Sequence, residues 1–550
     1  MVIKRWALRL WQSFSATGLL VGALFFAASL TPTLLPRAYP LQGALSGCSF
    51  AAGYGVGVFA LWLWDYLELP KPARRAARAI KLVATVICAA IVVTFLWHAS
   101  EWQNSIRAVM NLEPVDSAHP LRVGLIALLV FVLLIALARL FELSFRYSSG
   151  PLRRYVPRRV SNVIGVIVSV ALFWTVANGV LFKSALHAAD TSFRKFDELI
   201  EASTEKPTDP NKTGSTASLL DWEELGRAGR EFIATGPSKA DLSAFRMQDA
   251  MEPIRVYVGL RNAETATERA KLALEELKRV GAFDRSVLVV IMPTGTGWID
   301  PEAMDTVEYL HGGDIASVAM QYSYLTSWLS LLVEPDYGAE AARALFSEVY
   351  SYWTTLPKET RPQFYLHGLS LGALSSQLST ELYDIIGDPF QGALWSGPPF
   401  QSQDWRRFTD GRNPGSPAWL PRFRDGSFVR FTHQENALDI PGARWGPMRI
   451  VYLQYASDPV TFFEPESFYR KPAWMNEPRG PDVSGELRWY PVVTMLQLAL
   501  DMAMATITPM GYGHVYAPEH YIDAWIEVTD AKGWSEADVQ RLKDFFINRR

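Results

Sequence analysis

Residues 364–374 read F-Y-L-H-G-L-S-L-G-A-L. An apolar run, Gln363–His367, ends in Gly-Leu-Ser-Leu-Gly (368–372), and a helical pattern follows over Leu371–Ile386. This is the strand, tight turn and helix that a G-x-S-x-G nucleophile elbow requires. A serine on so sharp a turn forces its neighbours against the following helix, and only glycine lacks the Cβ that would clash there. The spacing therefore predicts Ser370 at the top of a sheet and at a helix N-terminus, where negative charge is tolerated.

The segments around the elbow extend this pattern. Ile254–Leu260, Ser286–Met292, Asp314–Tyr322, Gln391–Trp395 and Arg449–Tyr455 read as strands, with helical patterns at Glu264–Val280 and Ala339–Trp353. Strands alternating with helices predict a mostly parallel sheet covered on both faces. Two stretches break the rhythm. Pro398–Met448 and Thr461–Tyr490 are rich in aromatic residues, and the first is read as a lid-like insertion. The polar, turn-rich stretch Thr204–Ser218 is read as a mobile linker.

A serine hydroxyl needs a base within reach, and the base needs an orienting acid. In this fold class the order along the chain is Ser, acid, His. Asp458 follows the strand Arg449–Tyr455 in Y-A-S-D-P-V and is the candidate acid, with Asp388 as competitor. His514, in P-M-G-Y-G-H-V-Y (509–516), is the candidate base, with His520 as runner-up. His367, at a strand end, is read as a packed or substrate-facing residue. An oxyanion hole needs two convergent N–H donors. One is expected from Leu371, and the other from Gly295 or Thr296 in the loop P-T-G-T-G-W (293–298). His311-Gly312-Gly313 is a weaker alternative, because it precedes a strand instead of following one.

Hydrophobic residues make up 49% of the chain, and they concentrate before about residue 185. Five apolar runs reach spanning length: about Ala16–Leu35, Leu41–Trp64, Leu82–Trp97, Leu121–Leu140 and Val163–Phe182. Glycines at 43, 47, 53, 55 and 57 in the second run predict close helix–helix approach and a central place in the bundle. Basic clusters fall at the N-terminus and in the second-to-third and fourth-to-fifth loops. By the positive-inside rule the N-terminus is cytoplasmic, and five spans put everything after Phe182 on the far side. The organisation expected is a transmembrane domain over 1–185, a connecting segment over 186–250 and a catalytic domain over 251–550.

With a net charge of −3, bulk electrostatics gives no attraction to nucleic acid. Both cysteines, Cys48 and Cys88, sit in apolar runs, so neither a disulfide framework nor a cysteine metal site is expected. No metal or cofactor motif appears, and the expected cofactor list is empty.

The five-span region, P-T-G-T-G-W (293–298), Q-Y-S-Y-L (321–325), H-G-L-S-L-G (367–372) and G-Y-G-H-V-Y (511–516) together resemble a bacterial family of membrane-anchored α/β-hydrolase-fold proteins with a hydrophobic N-terminal domain. The resemblance covers nearly the whole chain. It implies the α/β-hydrolase fold, a bacterial inner-membrane location and a serine-hydrolase constellation at Ser370, Asp458 and His514. It implies no substrate. The expected activity is hydrolysis of an apolar or lipid-like ester, with the bilayer and that ester as partners. Tryptophans 395, 405, 419, 445, 474 and 489 either line an apolar cleft or belong to the core. Acyl transfer from the same acyl-enzyme and a non-catalytic membrane scaffold are the alternatives. The sequence does not specify the oligomeric state.

Overall fold

A computed structural model describes residues 14–152, 154–175, 197, 204–325, 337–381 and 385–549. They form two compact units. The first holds the N-terminal helices together with Phe463–Met504, and the second holds the chain up to Phe462 together with Ala505–Arg550.

Among the described residues, five N-terminal helices of the first unit follow in order: α1 (Ala16–Ser29), α2 (Tyr39–Tyr66), α3 (Arg74–Val109), α4 (Pro120–Leu152) and α5 (Arg158–Trp174). Three of them, α2, α3 and α4, are long and apolar enough to cross a membrane. Large apolar side chains on their outer faces are exposed, among them Leu82, Val93, Leu121 and Leu129. Apolar surface on that scale suits lipid, not water. The first expected span is shorter than the apolar run suggests. The helix stops at Ser29 after 14 residues, about 21 Å at 1.5 Å per residue. Pro32 cannot donate a helical hydrogen bond, and it disfavours helical backbone at Thr31. The fifth expected span lies partly outside the described residues. The central place expected for α2 is found. A Cβ on Gly57 would lie 2.8 Å from Gly18 Cα of α1, and one on Gly43 would lie 2.7 Å from Ile126 Cβ of α4.

The aromatic segment expected as an insertion of the catalytic domain folds instead with these helices. The helix that follows it, Val493–Ala503, packs on α1 and α2. Gln497 Nε2 donates to Thr31 O (3.0 Å), and Ser105 and Ser484 share a 2.6 Å hydroxyl contact. Arg37 Nε meets Asp501 Oδ1 at 3.2 Å with both side chains fully buried. Arg37 Nη1 donates to Gln42 Oε1 (3.0 Å), and its Nη2 donates to Thr33. Leu34 N–H donates to Asp501 Oδ2 (3.1 Å). The charges that would be costly to bury alone are therefore paired and hydrogen-bonded.

The second unit carries a seven-stranded, all-parallel sheet. Its strands are β1 (Ile254–Val258), β2 (Val287–Met292), β3 (Ile315–Met320), β4 (Gln363–Leu369), β5 (Gly392–Ser396), β6 (Val429–Thr432) and β7 (Arg449–Leu453), in the spatial order β1-β3-β2-β4-β5-β7-β6. β1, β2 and β3 are buried along their whole length, which is why they read as unbroken apolar runs. The chain leaves β2 toward β3 and leaves β4 toward β5, so the order reverses between these neighbours. Ligand sites of open α/β sheets form at such a switch point, outside the strands' C-terminal ends.

Two sequence expectations change here. The stretch 398–448 contains a helix, Gln403–Asp410, and the edge strand β6, so part of it belongs to the sheet. The expected linker is docked. Ser218 Oγ and Leu219 N–H donate to the buried carboxylate of Glu276 (2.7 and 3.0 Å), and Arg279 Nη1 donates to Pro210 O (2.6 Å).

Candidate active site

Ser370 sits between β4 and the helix Leu371–Leu378 with φ +58° and ψ −124°. A non-glycine residue held there is strained, and such strain clusters at functional sites. The two elbow glycines explain how the turn closes. A Cβ on Gly368 would lie 2.4 Å from the backbone of Gly372, and one on Gly372 would lie 2.1 Å from Met292 O at the end of β2. Ser370 N–H donates to Ser396 O (3.0 Å), which pins the serine to the end of β5.

Asp458 and His514 come together after β7 and near the C-terminus. Asp458 Oδ2 accepts from His514 Nδ1 at 2.7 Å, and Oδ1 accepts from Val460 N–H at 2.8 Å. Thr461 Oγ1 also points at Oδ2 (3.3 Å). With Nδ1 bonded to a fully buried carboxylate, the ring is left with Nε2 for a second partner. That atom is buried and has no hydrogen-bond partner among the described residues. No hydrogen bond joins it to Ser370 Oγ, although the two residues converge on one strand end. Gly397, the residue after β5, sits at φ +48°, and a Cβ there would come within 2.6 Å of His514 Cε1. Nucleophile–base hydrogen bonds often tighten only when substrate binds. Ser370 and His514 are 7% and 8% exposed, so this end of the sheet is nearly closed.

Leu371 opens the elbow helix, where N–H groups lack intrahelical partners. The loop 293–298 adjoins the elbow, because Pro293 O would lie 3.1 Å from a Cβ on Gly372. The loop is braced from behind: Tyr257 OH donates to Gly297 O (2.8 Å) and Gln321 Nε2 to Thr296 O (3.2 Å). The Thr294 and Gly297 N–H groups are used inside the turn, which has Gly295 and Thr296 at its tip. Behind it, Asp300 caps the helix Pro301–His311 and accepts from Tyr521 OH (3.0 Å). Burial pushes this carboxyl up to about 7.

The competing candidates lie elsewhere. His520 Nδ1 contacts Tyr455 OH at 2.6 Å. His367 Nδ1 donates to Leu394 O (2.8 Å) with its ring against Trp525, and burial takes it down to about 4, as expected of a packed histidine. Asp388 pairs at the surface with Arg361 and Lys358. Gly312 and Gly313 end a helix, and His311 Nε2 meets Thr529 Oγ1 (2.9 Å). Trp395 and Trp405 are core residues whose indole N–H groups are satisfied by Ser376 and Gln454, while Trp474 and Trp489 belong to the first unit. Gly397 and Tyr516 were given no role by sequence reasoning. A glycine directly after a strand was the available signal for the first. For the second it was a tyrosine two residues after His514.

Such an elbow on a parallel sheet, with a carboxylate–imidazole pair beyond its C-terminal edge, defines the hydrolase class of α/β proteins. Residues 254–542 match the Alpha/beta-hydrolase family and residues 30–237 match that family's N-terminus, so the chain belongs to this family. The hydrolase match runs through 463–504, the segment that folds with the N-terminal helices. No curated protein and no solved structure matches the chain.

Proposed function

We propose that the protein is a membrane-tethered serine hydrolase that cleaves an apolar or lipid-like ester with Ser370, His514 and Asp458. The observation that carries this reading is the buried Asp458–His514 pair, whose free Nε2 shares the end of β5 with a strained Ser370. His514 Nε2 takes the Ser370 proton as Oγ bonds to the ester carbonyl carbon. Leu371 N–H and a donor from Gly295 or Thr296 stabilise the resulting oxyanion. The imidazolium then protonates the departing alcohol, leaving acyl-Ser370. Water, deprotonated by His514, attacks the acyl carbon, and the proton returns to Ser370 as the acid leaves.

Anchoring in a bacterial inner membrane with the catalytic domain extracytoplasmic fits the charge pattern. The segment 463–504 meets the N-terminal helices at Thr31–Arg37 and Ser105, the helix ends away from the basic clusters. Arg37, one of the few cations at those ends, is neutralised by Asp501.

The test is labelling of the full-length protein in detergent with a fluorescent fluorophosphonate. Wild type labels, Ser370→Ala does not, and His514→Ala labels at least about 100-fold more slowly. Absence of labelling in folded wild type overturns the reading.

A further inference from the structure

We infer that Tyr516 is a positioning residue of this site: its hydroxyl shares the Asp458 oxygen that holds His514, and so sets both the orientation and the basicity of the imidazole. This rests on the triad reading above and assigns a further member to that site.

Tyr516 OH donates to Asp458 Oδ2 at 2.7 Å, the same distance at which His514 Nδ1 donates to that atom. Two short bonds on one oxygen, with Val460 N–H on the other, leave the carboxylate one orientation. The phenol cannot swing away. Its ring lies 4.4 Å from Tyr455 in a stack and 5.9 Å from His514 edge-on. Gly397 clears space for both rings, since its Cβ would come within 2.9 Å of Tyr516 Cε2 as well as touching His514. Burial, and after it the Asp458 charge, raise the phenol well above its ordinary range, so it stays a donor throughout the working pH range.

The chemical consequence has a sign. A phenol that draws on the Asp458 charge leaves less of it to stabilise the imidazolium. Removing the hydroxyl concentrates that charge on the bond to His514, favours the protonated ring and holds more enzyme inactive at low pH. The other titratable groups facing Tyr516 are Tyr455 and Tyr521, with His520 and Asp300 bonded behind them.

The experiment is the pH profile of fluorophosphonate labelling for full-length wild type, Tyr516→Phe and Tyr455→Phe. Phenylalanine keeps the stack and removes only the hydroxyl. For Tyr516→Phe the acid limb should move up by roughly 0.5–1 pH unit, with the plateau rate reduced about three- to tenfold. Tyr455 OH serves Ala517 N–H and His520 Nδ1, so Tyr455→Phe should leave the limb in place. An unmoved limb and plateau in Tyr516→Phe, with labelling still dependent on Ser370, overturns the role of Tyr516 and spares the triad. Equal movement in both variants marks general packing and also overturns it. Should wild type fail to label, the triad reading falls and this inference with it.

Discussion

Replacing Gly397 with alanine probes the placement of the proposed base, His514, without touching any proposed reacting group. The added Cβ would lie 2.6 Å from His514 Cε1 and 2.9 Å from Nδ1. Restoring ordinary contact requires the ring to retreat by about 0.8 Å. The backbone at φ +48° adds strain of about 1–2 kcal/mol for a residue with a Cβ. Displacement near 1 Å at a reacting group costs on the order of 10²-fold in rate. The strain alone lowers a domain of this size by only a few degrees in melting temperature. Gly397→Ala should therefore label with fluorophosphonate about 10- to 100-fold more slowly than wild type while still melting cooperatively within a few degrees of it. Labelling within about twofold of wild type would refute the reasoning, because the imidazole would then have no need of the space that Gly397 leaves.

Two further outcomes follow from buried charges. Asp501→Ala leaves Arg37 buried without its counter-ion, a loss of about 3–5 kcal/mol. The variant should melt roughly 10 °C lower in detergent, and the exchanged pair Arg37→Asp with Asp501→Arg should recover part of the loss; an unchanged melting curve refutes the assignment. Asp300, raised to about 7 in the folded protein against about 4 unfolded, favours the fold in its protonated form. Its contribution is complete below pH 4, declines as pH rises through 7 and amounts to roughly 4 kcal/mol. Asp300→Asn should flatten the fall in melting temperature between pH 4 and 7, and a slope identical to wild type refutes it.

The parts legible in the sequence were those set by local sterics and periodicity. The elbow could be read because a strained serine demands glycine at both 368 and 372, and the sheet because its buried strands are unbroken apolar runs. Asp458 and His514 were legible through chain order, and the structure brings them within a hydrogen bond. What escaped depends on distant partners. Nothing near Asp501 announces Arg37, 464 residues away, so the docking of 463–504 with the N-terminal helices had no local signature. Strand β6 is four residues long with Arg430 inside it, too short and too polar to stand out. The stretch 204–218 looked like a linker because its polar groups serve Glu276 and Arg279, which lie far along the chain.

The docking of 463–504 bears on how separable the two halves of this protein are. Asp458 lies five residues before that segment and His514 ten residues after it, so the proposed acid and base are carried on its two flanks. A version cut to the hydrolase portion alone would keep every proposed catalytic group. It would also leave Asp501, Gln497 and the helix Val493–Ala503 without the surface they were built to meet. The hydrophobic region is thus more than a tether that could be exchanged for another. It packs against the stretch of chain that joins Asp458 to His514.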